Sequence, residues 1–513
     1  MSGWHDNPWR RAALAAGLAA VLAAGCTRWS VRDSPPELVL RTDRPDRMRL
    51  TLADGARVEL RSPRLSGDSL LGLSTDGVRL AVPTDEVRQV EVRTTNTAGT
   101  VALVGLGVGA VLVAIAAASG DDDPPAAPDT IPPIISCPLV YSWDGEAWRL
   151  DSGTFGGAVA RPLARTDVDG LEHARDDGGE VRLRLSAELD ETDYVDALEL
   201  LAVDHPRGTT VAPDGRGDLH VLGALRAPLA ARDLDGRDAL ERVRSADGWS
   251  WESALAPRDT TDPRNLRDGL ELEFARPAGS DRARLVLDAH NTVWAASMVG
   301  EYMRLHGDGL EAWHVSLAAD PARAARIGRR FAEEGFLAVS VETEDGFERQ
   351  DLVWEAGPEV VKRQVAVLDL SRVRGDRLRV RLESVPSFWL VDRAALEFGD
   401  GGPAAVHALA PESARTTDGR DVAPLLAAID GREHVMERGD AAEVVYRVPP
   451  RAPGTERSYV LRSSGWYRIH ASRPGAPDAE TLARIESEPG SIARLAVARA
   501  NAALSVLAAG GDW

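Results

Sequence analysis

One stretch limits this chain more than any other. Val101–Ser119 holds nineteen residues without a charge, and Asp121–Asp123 and five prolines (Pro124, Pro125, Pro128, Pro132, Pro133) come after it. As a helix, nineteen residues rise about 28 Å, close to the thickness of a bilayer's hydrocarbon core. The prolines then make a stiff, extended spacer. We therefore expect a transmembrane or membrane-packing helix over 99–119 and a Pro/Asp linker over 120–136. Together they divide the chain into a small part before and a large part after. Gly105 and Gly109 form the small-xxx-small spacing that lets membrane helices approach closely. The run Gly105-Leu106-Gly107-Val108-Gly109-Ala110 also matches a dinucleotide fingerprint. That chemistry needs a βαβ unit, and a linker stands here instead.

The N-terminus carries the most specific motif. Arg10 and Arg11 precede the short apolar run Ala12–Ala24, and Leu22-Ala23-Ala24-Gly25-Cys26 closes it. Small residues before a cleavage point mark a signal peptide, here 1–25. Ending in cysteine, the segment resembles the bacterial lipoprotein signal, which implies a diacylglycerol on Cys26 and membrane lipid as a partner. Lipidation puts the residues after Cys26 outside the cytoplasm. Arg88 and Arg93 before the apolar segment and Asp121–Asp123 after it favour the opposite sense of crossing. We expect the large region outside, in a membrane-anchored lipoprotein of a bacterial cell envelope.

Residues 37–93 read as a small barrel. Met48, Leu50 and Leu52 alternate, Asp54-Gly55 and Asp76-Gly77 offer tight turns, and Pro83–Glu86 suits one helical turn. Five short strands with one such turn resemble an SH3-like or Sm-like barrel. The chain carries a net charge of −20, which argues against nucleic acid as a partner. Nearly every cation is arginine, Lys362 being the sole lysine. Codon use in a GC-rich genome accounts for that preference.

From Cys137 onward, period-2 alternation dominates. Val140–Trp143 and Ala147–Leu150 flank Asp144-Gly145 as a hairpin. Further strands are expected at Val181–Leu185, Ala197–Val203, Leu285–Asp288, Leu337–Val341, Gln364–Leu370, Leu378–Leu382 and Ser387–Val391. Helical spacing occurs at Thr292–Leu305, Ala322–Glu334 and Ile492–Leu507. The expected fold class is mainly β: a small SH3/Sm-like barrel, one hydrophobic helix and a large β-sandwich region with inserted helices. We place the sandwich region at 137–400, in one or two domains, and a mixed region at 401–513. Cys137-Pro138-Leu139-Val140-Tyr141-Ser142-Trp143-Asp144-Gly145, Asp204-His205-Pro206, Ser387–Arg393 and Gly465-Trp466-Tyr467 resemble segments of a poorly characterised family of bacterial envelope proteins. The resemblance spans most of 137–470. It implies architecture and location, and supplies no catalytic residues.

Chemical signatures are sparse. There is no GxSxG, SxxK, Walker loop or HExxH. Asp288 and His290 lie two apart on a strand, the spacing of a base and its orienting carboxylate, but also of an ordinary strand-end pair. Asp190, Asp193 and Asp196 concentrate oxygen ligands that suit calcium, without the EF-hand spacing. Acidic loops are more often simply solvated, and no cofactor or resident metal is expected. Arg216-Gly217-Asp218 reads as a turn. Tyr141 and Trp143, with Trp148 across the hairpin, and Trp249 with Trp251 are aromatic groups that either stack on sugars or fill a core, the core being the default. With Cys26 acylated, Cys137 is the only thiol. The leading reading is a non-enzymatic envelope lipoprotein that binds or scaffolds a protein or glycan partner. One rival is a glycan-binding or glycan-hydrolysing enzyme using Asp190 and Glu191. Another is a membrane-anchored regulator with a cytoplasmic large domain.

Overall fold

Alternating strands build the N-terminal sheet. The computed structural model describes most of residues 27–95, and 137–508 apart from 254–255, 355–356, 400 and 472–473. The expected signal peptide 1–25, Cys26, the expected membrane segment 99–119 with Gly105 and Gly109, and the expected linker 120–136 lie outside the described residues. The chain divides into two compact units, one holding 27–95 and the other 137–508. No helix among the described residues is long and apolar enough to cross a membrane.

In the first unit, β1 (Thr27–Arg32), β2 (Arg47–Leu52), β3 (Arg57–Ser66), β4 (Ser69–Leu73), β5 (Arg79–Pro83) and β6 (Val87–Thr95) form one antiparallel sheet. Its order is β1-β6-β2-β3-β4-β5. Met48, Leu50, Leu60, Leu70, Val82, Val90 and Val92 fall on one face and make the core with Val39. Among the described residues the sheet does not close into the expected SH3/Sm-like barrel, because β1 and β5 are edges that share no ladder. Pro63 does not end β3, since it sits at a register shift between Arg61 and Arg64, where its missing N–H leaves no gap in the ladder.

The second unit is two β-sandwiches, one inserted in the other. In the first, one sheet runs Ser413–Thr416, Ala441–Arg447, Glu180–Ser186, Leu139–Trp143, Trp148–Gly153. The other runs Ala405–Leu409, Glu191–Pro206, Thr455–Ile469, Arg165–Leu171, with His434–Glu437 paired to the start of Glu191–Pro206. Val181, Leu183, Leu185, Val444 and Tyr446 of one sheet meet Leu198, Leu200 and Leu461 of the other in a single core. Gly465 lies in that core because a Cβ there would come within 3.0 Å of the Phe155 ring and 2.4 Å of the Tyr194 carbonyl. Strands from 405–469 thus complete the first sandwich, and its ladders cross the boundary expected at 400.

The second sandwich occupies the sequence between. Ala230–Asp233, Asp268–Ala275, Arg377–Ser384, Leu337–Thr343 and Gly346–Val353 form one sheet, and Trp251–Glu252, Trp389–Glu397, Arg282–Asn291 and Lys362–Asp369 the other. A small hairpin, Thr210–Pro213 with Leu219–Leu222, lies between the sandwiches. Its Val211 and Val221 pack on Leu201, Val203 and Val460 of the first. Its Ala212 and Leu222 pack on Val286 and Val365 of the second.

Helices α1 (Val293–Arg304), α2 (Leu310–Ala319) and α3 (Pro321–Gly335) interrupt the second sandwich, and α4 (Ala479–Ser487) and α5 (Ser491–Ala508) end the chain. Thr292, Asp320 and Asp478 cap α1, α3 and α4 through side chains that accept backbone N–H bonds. Buried Glu334 accepts from the N–H groups of Gly490 and Ala493 at the start of α5. Tyr302, Trp313, Leu317, Ile327, Ile485 and Ile492 join the first sandwich's core, so the helices form a layer upon it.

Candidate functional site

Where the hairpin separates the sandwiches, a cleft of about 350 Å³ opens between Arg165–Asp169, the turn Asp214–Gly217, and Trp354 and Lys362. Alternation along Arg165–Leu171 puts Arg165, Asp167 and Asp169 on one face. Asp167 holds Arg165 Nε at 2.7 Å through Oδ1 and accepts the Phe155 N–H at 2.8 Å through Oδ2. Asp169 meets Lys362 Nζ at 2.8 Å through Oδ1 and accepts the Ser152 hydroxyl at 2.7 Å through Oδ2. Asp214 accepts the N–H groups of Arg216 and Asp218 on one oxygen and contacts His220 Nε2 at 2.9 Å with the other. The Trp354 ring lies so close to Gly215 that a Cβ there would stand 2.4 Å from it. Arg165 stands 5.3 Å over the same ring.

Lys362 is the keystone of the cleft floor. It reaches from the second sandwich to donate to the Gly153 carbonyl of the first at 2.6 Å. Burial alone lowers its ammonium, but Asp169 and Asp167 outweigh burial and hold it above its ordinary range. Burial raises the Asp169 carboxyl while Lys362 opposes that. The short contact of an ammonium with a carboxylate favours the charged pair. A lysine held protonated is no nucleophile.

Behind the floor lies a buried acidic cluster. The Cys137 N–H donates to Glu191 Oε1 at 2.8 Å. Burial pushes the Asp193 carboxyl up to about 7. Burial, then the neighbouring Asp193, raises Glu191 as well. Burial, then Glu359 and Glu191, drives the Cys137 thiol upward, so it stays protonated and unreactive.

The residues singled out from sequence separate. Asp190, Asp193 and Asp196 do not converge: Asp190 is exposed beside His470, Asp193 is buried, and Asp196 accepts the N–H groups of Asp430 and Gly431. Asp190 precedes the strand Glu191–Pro206, and the ladder shifts register at Asp196, so the three carboxylates go to different surroundings. Among the described residues no group of His, Cys, Asp and Glu is placed to hold a metal ion. Asp190 and Glu191 likewise fail to face each other, one exposed and one buried. The two oxygens of Asp288 are held by Arg363 at 2.8 Å and Arg393 at 2.7 Å, so it does not orient His290. Trp251 is buried in the second sandwich, while exposed Trp249 lies 4.1 Å under the Arg242 guanidinium. Trp143 and Trp148 depart from the core default. They lie half-buried on the outward face of their sheet, edge to face at 5.5 Å, with Arg182 over both.

Sequence reasoning missed the cleft. Its one available signal was Lys362, the only lysine where arginine serves everywhere else. A guanidinium fork does not fit where one compact charge must meet both Asp169 and a backbone carbonyl.

No protein-family model matches this sequence, and no curated protein matches it. Among solved structures, the α-xylosidase of glycoside hydrolase family 31 from Xanthomonas citri aligns at 11% identity and a TM-score of 0.17, covering 85% of this chain and 35% of that one. The arabinofuranosyltransferase AftD from Mycobacteria aligns at 12% identity and a TM-score of 0.14, covering 84% of this chain and 30% of that one. The chain thus spans about a third of either length, and likenesses this weak carry no argument about fold or activity.

Proposed function

We propose that this chain is a lipid-anchored protein of a bacterial envelope that binds or scaffolds a partner and does not cleave it. One observation carries the reading: in the polar cleft, Asp167, Asp169 and Asp214 each have both oxygens engaged. Glycoside hydrolysis needs one carboxyl free to donate a proton and a second free to attack or to activate water. The lipoprotein-like run Leu22–Cys26 supports the anchor, and the resemblance over 137–470 supports the location. Mass spectrometry of the membrane fraction tests the anchoring. A mature N-terminus at acylated Cys26, and partial release by Cys26→Ala, are expected. Partial release is expected because 99–119 still holds the chain. An intact Met1 with unmodified Cys26 would overturn it. Protease added to intact and to permeabilised cells reports the side of the membrane, and cleavage of the large region from outside is expected.

A glycan is the partner favoured by a specific observation, the outward placement of Trp143 and Trp148. Flat rings on an exposed sheet face suit the apolar faces of sugars.

A further inference from the structure

We propose that the outward face of the Leu139–Trp143 sheet is a binding site for an acidic saccharide, a sugar chain bearing carboxylates. The inference rests on the binding reading above and names the ligand class. Register places side chains in rows across this face. One row runs Arg415, Glu443, Arg184, Tyr141, Leu150, each opposite the next on neighbouring strands. The adjacent row runs Ser413, Val445, Arg182, and then the paired Trp143 and Trp148. At the arginine end the face sinks into a groove of about 390 Å³ lined by Arg184, Arg415, Ser413, Thr417 and Glu443.

The charges on this face do not cancel. Arg182 holds Glu443 through two bonds to the same oxygen, at 2.9 and 2.7 Å. Glu188 accepts from the Tyr141 and Ser186 hydroxyls on one oxygen and keeps its negative charge. Arg184 and Arg415 flank Glu443, are exposed, and make no ion pair among the described residues. Strand spacing sets their Cα atoms roughly 10 Å apart. Arg182, Arg184 and Arg415 against Glu443 and Glu188 leave one positive charge in excess on this face, in a chain of net charge −20, and an anion completes it. Guanidinium matches a carboxylate with two parallel bonds. Half-buried Trp143 and Trp148 lie on the same face, fixed by Arg182, and offer rings to pyranose faces. Rings at one end, and arginines with hydroxyls at the other, fit a polymer that is flat, polyhydroxylated and anionic. An acidic peptide would use the arginines and leave the rings without a role.

Titration calorimetry on the full-length, detergent-solubilised protein tests this, with tetragalacturonate, its neutral methyl ester and a tetraglutamate peptide as probes. The acid should bind, and the ester at least about tenfold more weakly. Arg184→Gln and Arg415→Gln should each weaken the acid about tenfold while leaving the ester unchanged. Trp148→Ala should weaken both sugars. Both arginine substitutions are at exposed positions, and unchanged thermal melts confirm that the fold survives. Equal binding of acid and ester, preference for the peptide, or no binding overturns the proposal. Release of reducing ends from the probe would instead strike the non-catalytic reading while leaving this site in place.

Discussion

Lys362 and Asp169 show how one buried pair ties two sandwiches together. Breaking a buried ion pair from one side strands the other charge, at about 3–5 kcal/mol. Lys362→Met should therefore destabilise the second unit by about that amount in urea unfolding. The double variant Lys362→Met with Asp169→Leu should recover most of the loss. Equal loss in single and double variants would contradict the pairing. Asp193 sets a pH dependence of known sign. Burial raises its carboxyl from an ordinary 3.8 to about 7, so the fold prefers it protonated. Its contribution is full below the ordinary value and is lost as pH rises through about 7. Asp193→Asn should flatten the decline in stability over that window, with urea midpoints at pH 4 and pH 8 as the check. Residue types were legible in the sequence here, but partners were not. The spacing of Asp190, Asp193 and Asp196 suits a ligand set, but Asp190 stays exposed before the strand, Asp193 is buried, and Asp196 at a register shift caps the Asp430–Gly431 turn.

At the scale of elements, the helical layer has the opposite pH response. His306 and His314 are buried, His306 5.1 Å from the Tyr302 ring and 4.6 Å from the Trp313 ring, and His314 4.9 Å from Trp313. Burial lowers both imidazoles from 6.5 to about 4. His314 and Arg323 lower His306 further while Glu486 opposes them, and Arg468 lowers His314 while Glu311 opposes it. A lowered histidine stabilises the fold above its ordinary value, and that stability is lost as pH falls through about 4. His306→Phe should shift acid unfolding, followed by helix circular dichroism, to lower pH. A shift to higher pH would contradict a neutral buried imidazole. Helices α1, α3 and α5 were legible because their apolar residues recur at helical spacing. Leu310–Ala319 was not, because its apolar residues surround the helix and leave no periodic stripe. The open edges of the N-terminal sheet were hidden for a related reason. Alternation and turn signals specify strands, while closure depends on how far the sheet curls.

For the whole molecule, the main architectural fact is interleaving. Thr455–Ile469 pairs along Glu191–Pro206 although the entire second sandwich lies between them in sequence. Local patterning marks both as strands but carries no record of partner, so a boundary at 400 looked natural. A chain ending at 400 lacks strands of both sheets of the first sandwich and should fail to fold. Proteolysis checks this, and a resistant fragment would contradict the interleaving. We propose that the chain binds envelope glycan without cleaving it. The most direct test is to incubate purified full-length protein with isolated peptidoglycan and acidic envelope polysaccharide, measuring retained protein and released reducing ends together. Retention on polysaccharide, with no release above a heat-denatured control, is the predicted result. Sustained release above that control would contradict it.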